Sequence, residues 1–190
     1  MESPFSVLSE VARVLDELGI AYALVGSLAS SIHGMYRSTA DIDLLADIRA
    51  DQVGPFLTAL RTNFYVDEQA VRQALAQRRS FNIIHFESVF KVDFFIAKTD
   101  DFTRKQLERR QPRRIAPELG QMIYVATAED TIIAKLRWYR EGAEVSSTQW
   151  ADVLGMLGTH DINLDLDYMR KWADSLGVRD LLDRALVEAS

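Results

Sequence analysis

Hydrophobic residues recur at helical spacing near the start of the chain and then in short continuous runs. Over residues 3–18, apolar side chains repeat every three or four positions, which predicts a helix that buries one face. The segments "AYALVG" (21–26), "SFNIIHF" (80–86) and "FKVDFFIAK" (90–98) have the length and composition of buried strands. The first part of the chain is therefore predicted to mix helices and strands.

The same periodicity, read with capping and turn residues, predicts elements along the rest of the chain. Further strands are predicted at 39–47, 64–67, 113–117 and 121–126, the last two forming a hairpin around Gly120. Further helices are predicted at 27–34, 50–62, 68–79, 100–110, 128–140, 147–158, 165–176 and 179–188. Pro55 leaves the start of the 50–62 helix open, because proline disrupts a helix interior.

This order of elements predicts an α/β (α+β) fold, in which a mixed β-sheet is flanked by helices and followed by a helical C-terminal part. Residues 1–126 are expected to form the core domain and residues 127–190 a helical domain.

Composition narrows the function classes. The 190 residues carry a net charge of −6, which argues against non-specific nucleic-acid binding by the field of the whole protein. The chain has no cysteine, so disulfides, thiolate metal sites and a cysteine nucleophile are excluded. With no signal-peptide pattern and no apolar run of membrane-spanning length, we expect a cytoplasmic protein with no membrane partner.

Two carboxylates interrupt a predicted strand. Asp41 and Asp43 stand at positions i and i+2, so they project from the same face while Ile42 points into the core. Two like charges this close repel each other, and a cation beside them removes the conflict. Mg²⁺ (or Mn²⁺) suits these hard oxygen ligands. The alternative is a strand end with two solvated aspartates.

A third carboxylate and a small-residue turn extend the pattern. Asp93 lies in the middle of the apolar run "VFKVDFFIA", and three carboxylates are enough for a one- or two-metal phosphoryl-transfer site. Gly26 lets the backbone approach a phosphate closely. Ser27 offers a hydroxyl and opens a short helix, whose N-terminal N–H groups favour anions.

The segment "LVGSLASSIHGMYRSTADIDLL" resembles the signature of the nucleotidyltransferase (DNA polymerase β-like) superfamily. The narrower resemblance is to minimal bacterial nucleotidyltransferases related to the AbiEii toxins, which show R-x-[ST]-x-D-[IL]-D, here Arg37 to Asp43. The later segments "TAEDTIIAKLRWYREG" and "QWADVLGML" are similar to their helical part, with Lys135 and Asp152 at matching places. The resemblance covers roughly residues 20–158 and implies a nucleotidyltransferase fold.

The resemblance also implies roles. Asp41 and Asp43 would bind metal, and Asp93 would bind metal or act as general base on the acceptor hydroxyl. The residues that would hold the nucleotide are Gly26, Ser27, Arg37 and Lys135. The implied reaction moves an NMP from an NTP to an acceptor and releases pyrophosphate.

The resemblance leaves the acceptor open between tRNA, a protein and a small molecule such as an aminoglycoside. A toxin–antitoxin component with an antitoxin-like protein partner is one reading. A non-catalytic module that keeps the fold for nucleotide or partner binding is the alternative.

Several residues keep a plain structural reading beside the functional one. Lys135 is also expected as a solvated helix lysine, and Asp152 as a surface residue. His33 reads as a helix-end residue and His85 as a core histidine near Asp93. The basic stretch 104–114 is either a solvated helix face or a grip on a triphosphate or RNA acceptor.

Overall fold

The computed structural model describes residues 3–34, 41–115, 120–159 and 163–189. Within these ranges, seven strands form one mixed sheet in the order β3-β4-β5-β2-β1-β7-β6. The strands are β1 Tyr22–Val25, β2 Ile42–Ala46, β3 Phe64–Tyr65, β4 Ser80–His85, β5 Lys91–Ile96, β6 Gln111–Arg113 and β7 Ile123–Val125. The central pairs β2–β5 and β1–β7 are parallel, whereas β1–β2, β3–β4, β4–β5 and β6–β7 are antiparallel.

Helices surround the sheet in the described part of the chain. They are α1 Pro4–Glu17, α2 Gly26–Ile32, α3 Val53–Leu60, α4 Glu68–Gln77, α5 Asp101–Arg109, α6 Ala128–Glu141, α7 Ser147–Leu157, α8 Leu166–Ser175 and α9 Arg179–Glu188. Each of these helices is too short or too polar to span a bilayer.

The main core lies on one face of the sheet. Alternate strand residues such as Ile42, Leu44 and Phe94 are fully buried there, together with the apolar faces of α1, α3 and α4. Side chains alternate along a strand, so the residues between them point to the opposite face. Asp43 and Asp93 therefore lie on the other side of the sheet from the main core.

That second face is covered in part by α5 and α6. Val25, Leu45 and Leu107 belong to a small buried cluster, against which Phe95 and Trp138 pack. Helices α6 to α9 share a further apolar core of their own, to which Phe102 of α5 contributes. The division of the chain into two domains at residue 126 stays a prediction.

The predicted elements agree with the observed ones apart from two details. Pro55 is compatible with α3 because a 3-10 turn at Ala50–Gln52 precedes the helix and makes Pro55 its third residue. An N–H at that position has no partner within the helix, so none is lost. The first strand of the predicted hairpin begins at Gln111 rather than at residue 113.

This shift of the hairpin brings a proline into a strand. Pro112 is paired with Tyr124 in the β6–β7 ladder, and β6 lies at the edge of the sheet, where proline is tolerated. The pairing itself is as predicted. Residues 116–119, which include the end of the predicted 113–117 strand, lie outside the described part of the chain.

A buried ion pair joins α6 to α7. The Lys135 Nζ lies 2.8 Å from Asp152 Oδ2, and the two side chains are 4% and 5% exposed. Two charges removed from water are tolerable only as a pair, because either one alone bears the full desolvation cost. The pair therefore constrains how the two helices pack.

We expect Lys135→Met to lower the free energy of unfolding by about 3–5 kcal/mol, because the buried carboxylate of Asp152 would lose the ammonium group of its ion pair. The double variant Lys135→Met/Asp152→Leu should recover most of this loss. Urea denaturation of the single and double variants measures both quantities. Equal losses in both would show that the pairing of charges is not what stabilises this contact.

Candidate active site

Three aspartates lie near one another towards the starts of the neighbouring central strands β2 and β5. In the sheet register, Val25 at the end of β1 lies opposite Asp43 of β2, and Asp43 lies opposite Asp93 of β5. Neighbouring strands are about 4.8 Å apart, so side chains at paired positions on one face are in close proximity. Asp41 stands one residue before β2, and its charge contributes to raising the pKa of Asp43. The structure thus brings together the three aspartates singled out from the sequence.

Gly26 is packed directly against Asp43. Its φ of +68° lies in the left-handed region, and a Cβ built on it would come within 2.0 Å of Asp43 Oδ2. Any other residue would therefore combine backbone strain with displacement of the carboxylate. The sequence suggested that glycine is needed at position 26 so that a phosphate can approach the backbone. In the structure, glycine is needed there because the Asp43 carboxylate occupies the space of a Cβ.

Ser27 follows at the beginning of α2. Val25 stands at the N-cap of this helix, and its apolar side chain satisfies none of the first N–H groups of α2. The hydroxyls of Ser30 and Ser31 donate back to the carbonyls of Gly26 and Ser27, at 3.1 and 3.0 Å. The helix therefore begins immediately beside the carboxylates, with its backbone donors at that end.

The surroundings of Asp43 disfavour its charged form. Burial, followed by the neighbouring charges of Asp93 and Asp41, raises the pKa of the Asp43 carboxyl to about 6. Lys135 and Lys91 act in the opposite direction and lower it. Lys135 therefore lies within electrostatic reach of the carboxylates while its hydrogen bond goes to Asp152.

Lys91 is a site residue that the sequence analysis missed. Its Nζ lies 2.7 Å from Asp93 Oδ2, and the hydrogen bond that it donates to this carboxylate raises the pKa of the lysine. The signal was present, because Lys91 precedes Asp93 by two residues and so shares its face of β5. Asn82 was missed as well: it is exposed and lies opposite Asp93 on β4.

The plain readings of Lys135 and Asp152 are wrong, since both are buried rather than solvated. Burial follows from their pairing across two helices, which no periodicity within one helix reveals. The assignment of Lys135 to phosphate stays a prediction. Arg37, proposed as a phosphate contact, lies outside the described residues.

The histidines have structural partners. His33 ends α2, and its Nε2 lies 2.8 Å from the carbonyl oxygen of Ala126 at the end of β7. His85 is buried, with Nδ1 at 2.9 Å from Ser88 Oγ, so its reading as a core histidine is confirmed.

The basic stretch 104–114 is largely a helix surface. Arg104 is exposed and Lys105 is half-buried, and both pair with acidic residues of α5 itself. Arg109 departs from that pattern, since its guanidinium stacks 3.9 Å from the centre of the Tyr168 ring on α8.

The oxygen atoms of Asp41, Asp43 and Asp93 are suitable ligands for a hard divalent cation, but the three side chains do not form a complete metal-binding group in this structure. Among the described residues, no three acidic or histidine side chains converge closely enough to form a metal-binding group. Asp93 is instead engaged by Lys91. Carboxylate oxygens are the ligands that Mg²⁺ prefers, and it retains waters when the protein supplies few. Asp41 and Asp43 could hold such an ion, joined by Asp93 once Lys91 moves away.

Comparison with solved structures places this architecture among nucleotidyltransferase-like proteins. An antigenic nucleotidyltransferase-like protein from Paracoccidioides brasiliensis superposes with a TM-score of 0.57 and 17% identity, over 96% of this chain and 91% of that one. The antibiotic-resistance factor ANT(2'')-Ia in solution gives 0.55 and 11% identity, over 99% of this chain and 100% of that one.

A crystal structure of ANT(2'')-Ia with adenylyl-2''-tobramycin gives a TM-score of 0.52 and 11% identity, over 92% of this chain and 97% of that one. No protein-family model matches the sequence, and no curated protein matches it. At these identities the likeness concerns the fold. The predicted nucleotidyltransferase-like fold, a mixed sheet flanked by helices, is confirmed.

We expect Gly26→Ala to weaken nucleotide binding by about 100-fold, because displacing a site group by 1 Å has effects of that order. The matched control is Gly177→Ala: Gly177 has a nearly identical φ of +67°, yet nothing lies within 4 Å of its Cβ position. Both variants should lose about 1–2 kcal/mol of stability from backbone strain. Calorimetric titration with an NTP and Mg²⁺ separates them, and equal binding by both would contradict the packing argument.

We expect Asp43→Asn to stabilise the metal-free protein at pH 7.5. The pKa of Asp43 is about 6 in the folded protein against a model-compound value of 3.8, so the folded state binds the proton more tightly than the unfolded state does. Ionisation therefore removes stability as the pH rises from about 4 to 6, on the order of 1–3 kcal/mol.

An asparagine escapes that loss, so its advantage over the wild type should be full above pH 6 and disappear near pH 4. Urea denaturation at both pH values measures it. Asp51→Asn is the control, since the Asp51 side chain is 73% exposed. A destabilised Asp43→Asn at pH 7.5 would assign Asp43 a structural role.

Proposed function

We propose that this protein is a divalent-metal-dependent nucleotidyltransferase, which moves an NMP from an NTP to an acceptor and releases pyrophosphate. One observation carries the proposal: Asp43 and Asp93 lie side by side on parallel strands, with Gly26 packed against Asp43 at the beginning of α2. This arrangement occurs in a fold shared with nucleotidyltransferase-like proteins.

In this proposal, different residues on neighbouring strands bind the triphosphate and the divalent cation. The Gly26–Ser27 turn and the first N–H groups of α2 hold the triphosphate, since backbone donors at a helix start favour anions. Asp41 and Asp43 hold the divalent cation, Mg²⁺ or Mn²⁺, which when bound neutralises charge on the triphosphate. Lys91, displaced from Asp93, is a cation within reach of the same phosphates.

Asp93 accepts the proton of the acceptor hydroxyl. The oxygen freed of its proton attacks the α-phosphorus, a new P–O bond forms, and the bond from the α-phosphorus to pyrophosphate breaks. Asp93 suits this role because its side chain is 20% exposed and lies beside Asp43, so an acceptor can approach it from solvent.

One observation favours the non-catalytic alternative. The Lys91 ammonium already places a positive charge against Asp93. A chain that supplies its own cation at this carboxylate could bind a nucleotide as a sensor and transfer nothing. The intact set of three aspartates supports catalysis, and an activity test decides between the two.

The acceptor and the biological role form a finer level of the proposal. ANT(2'')-Ia was solved with adenylyl-2''-tobramycin, which makes a small molecule one acceptor class to test beside tRNA and protein. The resemblance to AbiEii-related proteins adds a toxin–antitoxin component with an antitoxin-like partner. These acceptors differ sharply in charge, so they are separable by experiment.

The test incubates the protein with Mg²⁺ and each of the four NTPs labelled at the α-phosphate, with cellular RNA, protein extract or an aminoglycoside panel as acceptor. We expect label in one acceptor fraction with the wild type and none with Asp43→Asn or Asp93→Asn. Asp51→Asn is the matched control and should keep full activity, because its side chain is exposed and follows the end of β2 opposite to the one that carries the aspartates.

Binding of NTP and Mg²⁺ is measured in parallel by calorimetry. Binding without transfer to any acceptor would favour the non-catalytic module. Absence of both binding and transfer would contradict the proposed function.

A further inference from the structure

We infer that the acceptor occupies a cavity over β4 and β5, and that it carries a nucleotide: a planar ring together with a phosphate. This inference rests on the proposed function, because it names the acceptor chemistry of the same site. An acceptor of this chemistry is not an aminoglycoside.

The cavity lies on the sheet face that carries the carboxylates. In the register of β4 and β5, Asn82 is opposite Asp93 and Ser80 is opposite Phe95. Ser80 and Phe95 line the cavity, and each stands two residues along its strand from the Asn82–Asp93 pair. Two residues of strand cover about 7 Å, so the cavity begins one side chain away from the proposed base.

The two substrates have opposite sides of the carboxylates available to them. The Gly26–Ser27 turn continues from β1, on one side of Asp43. The cavity lies towards β5 and β4, on the other side, because the strand order is β4-β5-β2-β1. A donor triphosphate at the turn leaves this cavity open to the molecule that approaches Asp93.

The walls of the cavity suit a planar ring. Its volume is about 370 Å³, within the range of small-molecule sites. Phe95 of β5 and Trp138 of α6 both line it, with ring centres 5.6 Å apart and planes inclined by 32°. Aromatic side chains of this kind stack nucleobases without regard to sequence. The buried amide of Gln106 adds a polar group to the same wall.

The charges around the cavity select for an anion. Four cationic side chains and a single acidic one lie among the described residues that line it: Arg78, Arg79, Lys98, Arg137 and Glu141. The chain as a whole carries a net charge of −6, so this local excess runs against the overall field. A phosphate is attracted here, whereas each ammonium group of an aminoglycoside is repelled.

Three of these cations also have acidic neighbours. Arg137 lies 3.0 Å from Glu141 and 3.7 Å from Asp100, and Arg78 lies 3.6 Å from Asp47. The charge of Lys98 is close enough to Asp100 to help lower the pKa of that carboxyl. Arg79 is exposed to solvent and directly precedes β4, so it is the side chain to change in a test.

The experiment measures binding by calorimetry in EDTA, so that neither a metal ion nor transfer contributes. The probes are AMP, UMP, a single-stranded RNA pentamer and tobramycin. We expect the monophosphates and the RNA to bind. For the RNA, a plot of the logarithm of the binding constant against the logarithm of the salt concentration should have a slope of about −0.7 per phosphate contact. Tobramycin should bind at least about tenfold more weakly, as like charges face it.

Variants locate the site. Arg79→Glu should weaken nucleotide binding about tenfold or more, and Trp138→Leu should weaken it by a comparable factor through lost stacking. Arg13→Glu is the matched control, since Arg13 lies on α1 and pairs with Glu17 away from this sheet face. Arg79 is exposed, so its charge reversal tests the cavity even if Trp138→Leu fails to fold.

The outcomes separate the inference from the proposed function. Binding by RNA but not by the monophosphates identifies a polynucleotide as the source of the nucleotide, and binding by both identifies a free nucleotide as sufficient. Binding that survives Arg79→Glu but is lost in Gly26→Ala places the ligand at the donor turn and overturns the inference. Preferential binding of tobramycin, or no binding by any nucleotide, overturns it as well.

The transfer assay reports on the proposed function independently. Labelled aminoglycoside with no nucleotide binding in EDTA would uphold the function and overturn the inference. Nucleotide binding that depends on Arg79, without transfer to any acceptor, would uphold the cavity and contradict the function.

Discussion

The site depends on the parallel pairing of β2 with β5, which sets Asp43 directly opposite Asp93. Two carboxylates in neighbouring positions on one sheet face repel each other, and Asp43, which is mostly removed from water, resists ionisation for both reasons. The chain compensates with cations: Lys91 binds Asp93 directly, and Lys135 acts on Asp43 from within a buried pair. The small size of Gly26 leaves the room that Asp43 occupies. The fold thus maintains a concentration of negative charge that a divalent cation would relieve.

The order of strands in the sheet also places two different features on opposite sides of the carboxylates. The start of α2, with its backbone N–H donors, lies on the β1 side of the carboxylates, and the aromatic cavity lies on the β4 side. A reaction that joins a triphosphate to a second molecule needs both approaches at once, with the reacting phosphorus between them. Helices α5 and α6 cover the sheet beyond Phe95 and form the other walls of the cavity. Under the proposed function, the strand order therefore places donor and acceptor on opposite sides of the carboxylates.

Much of this could be predicted from the sequence because it depends on local rules. Alternation along a strand placed Asp41 with Asp43, and an isolated charge in an apolar run marked Asp93. The proximity of Asn82 to Asp93 depends on strand register, which periodicity does not give, whereas Lys91 shares the face of Asp93 by simple alternation along β5. The burial of Lys135 and Asp152 depends on how α6 packs against α7, so the sequence left a solvated side chain as the structural alternative for each. The start of α3 stayed open at Pro55, because the short 3-10 turn before the helix lies outside the periodic pattern.

The register between β2 and β5 has a consequence for how such a chain can vary. The segment that connects these strands contains α3, β3, α4 and β4. It leaves β2 at the end away from the carboxylates and returns to β5 at the carboxylate end. Residues can be gained or lost at the junction Asp47–Arg49 without altering which aspartates face each other. A single insertion inside β5 between Lys91 and Asp93 would instead turn one of the two to the opposite face. The chemistry of the site is therefore robust to changes in the length of its connections and fragile to changes within three residues of one strand.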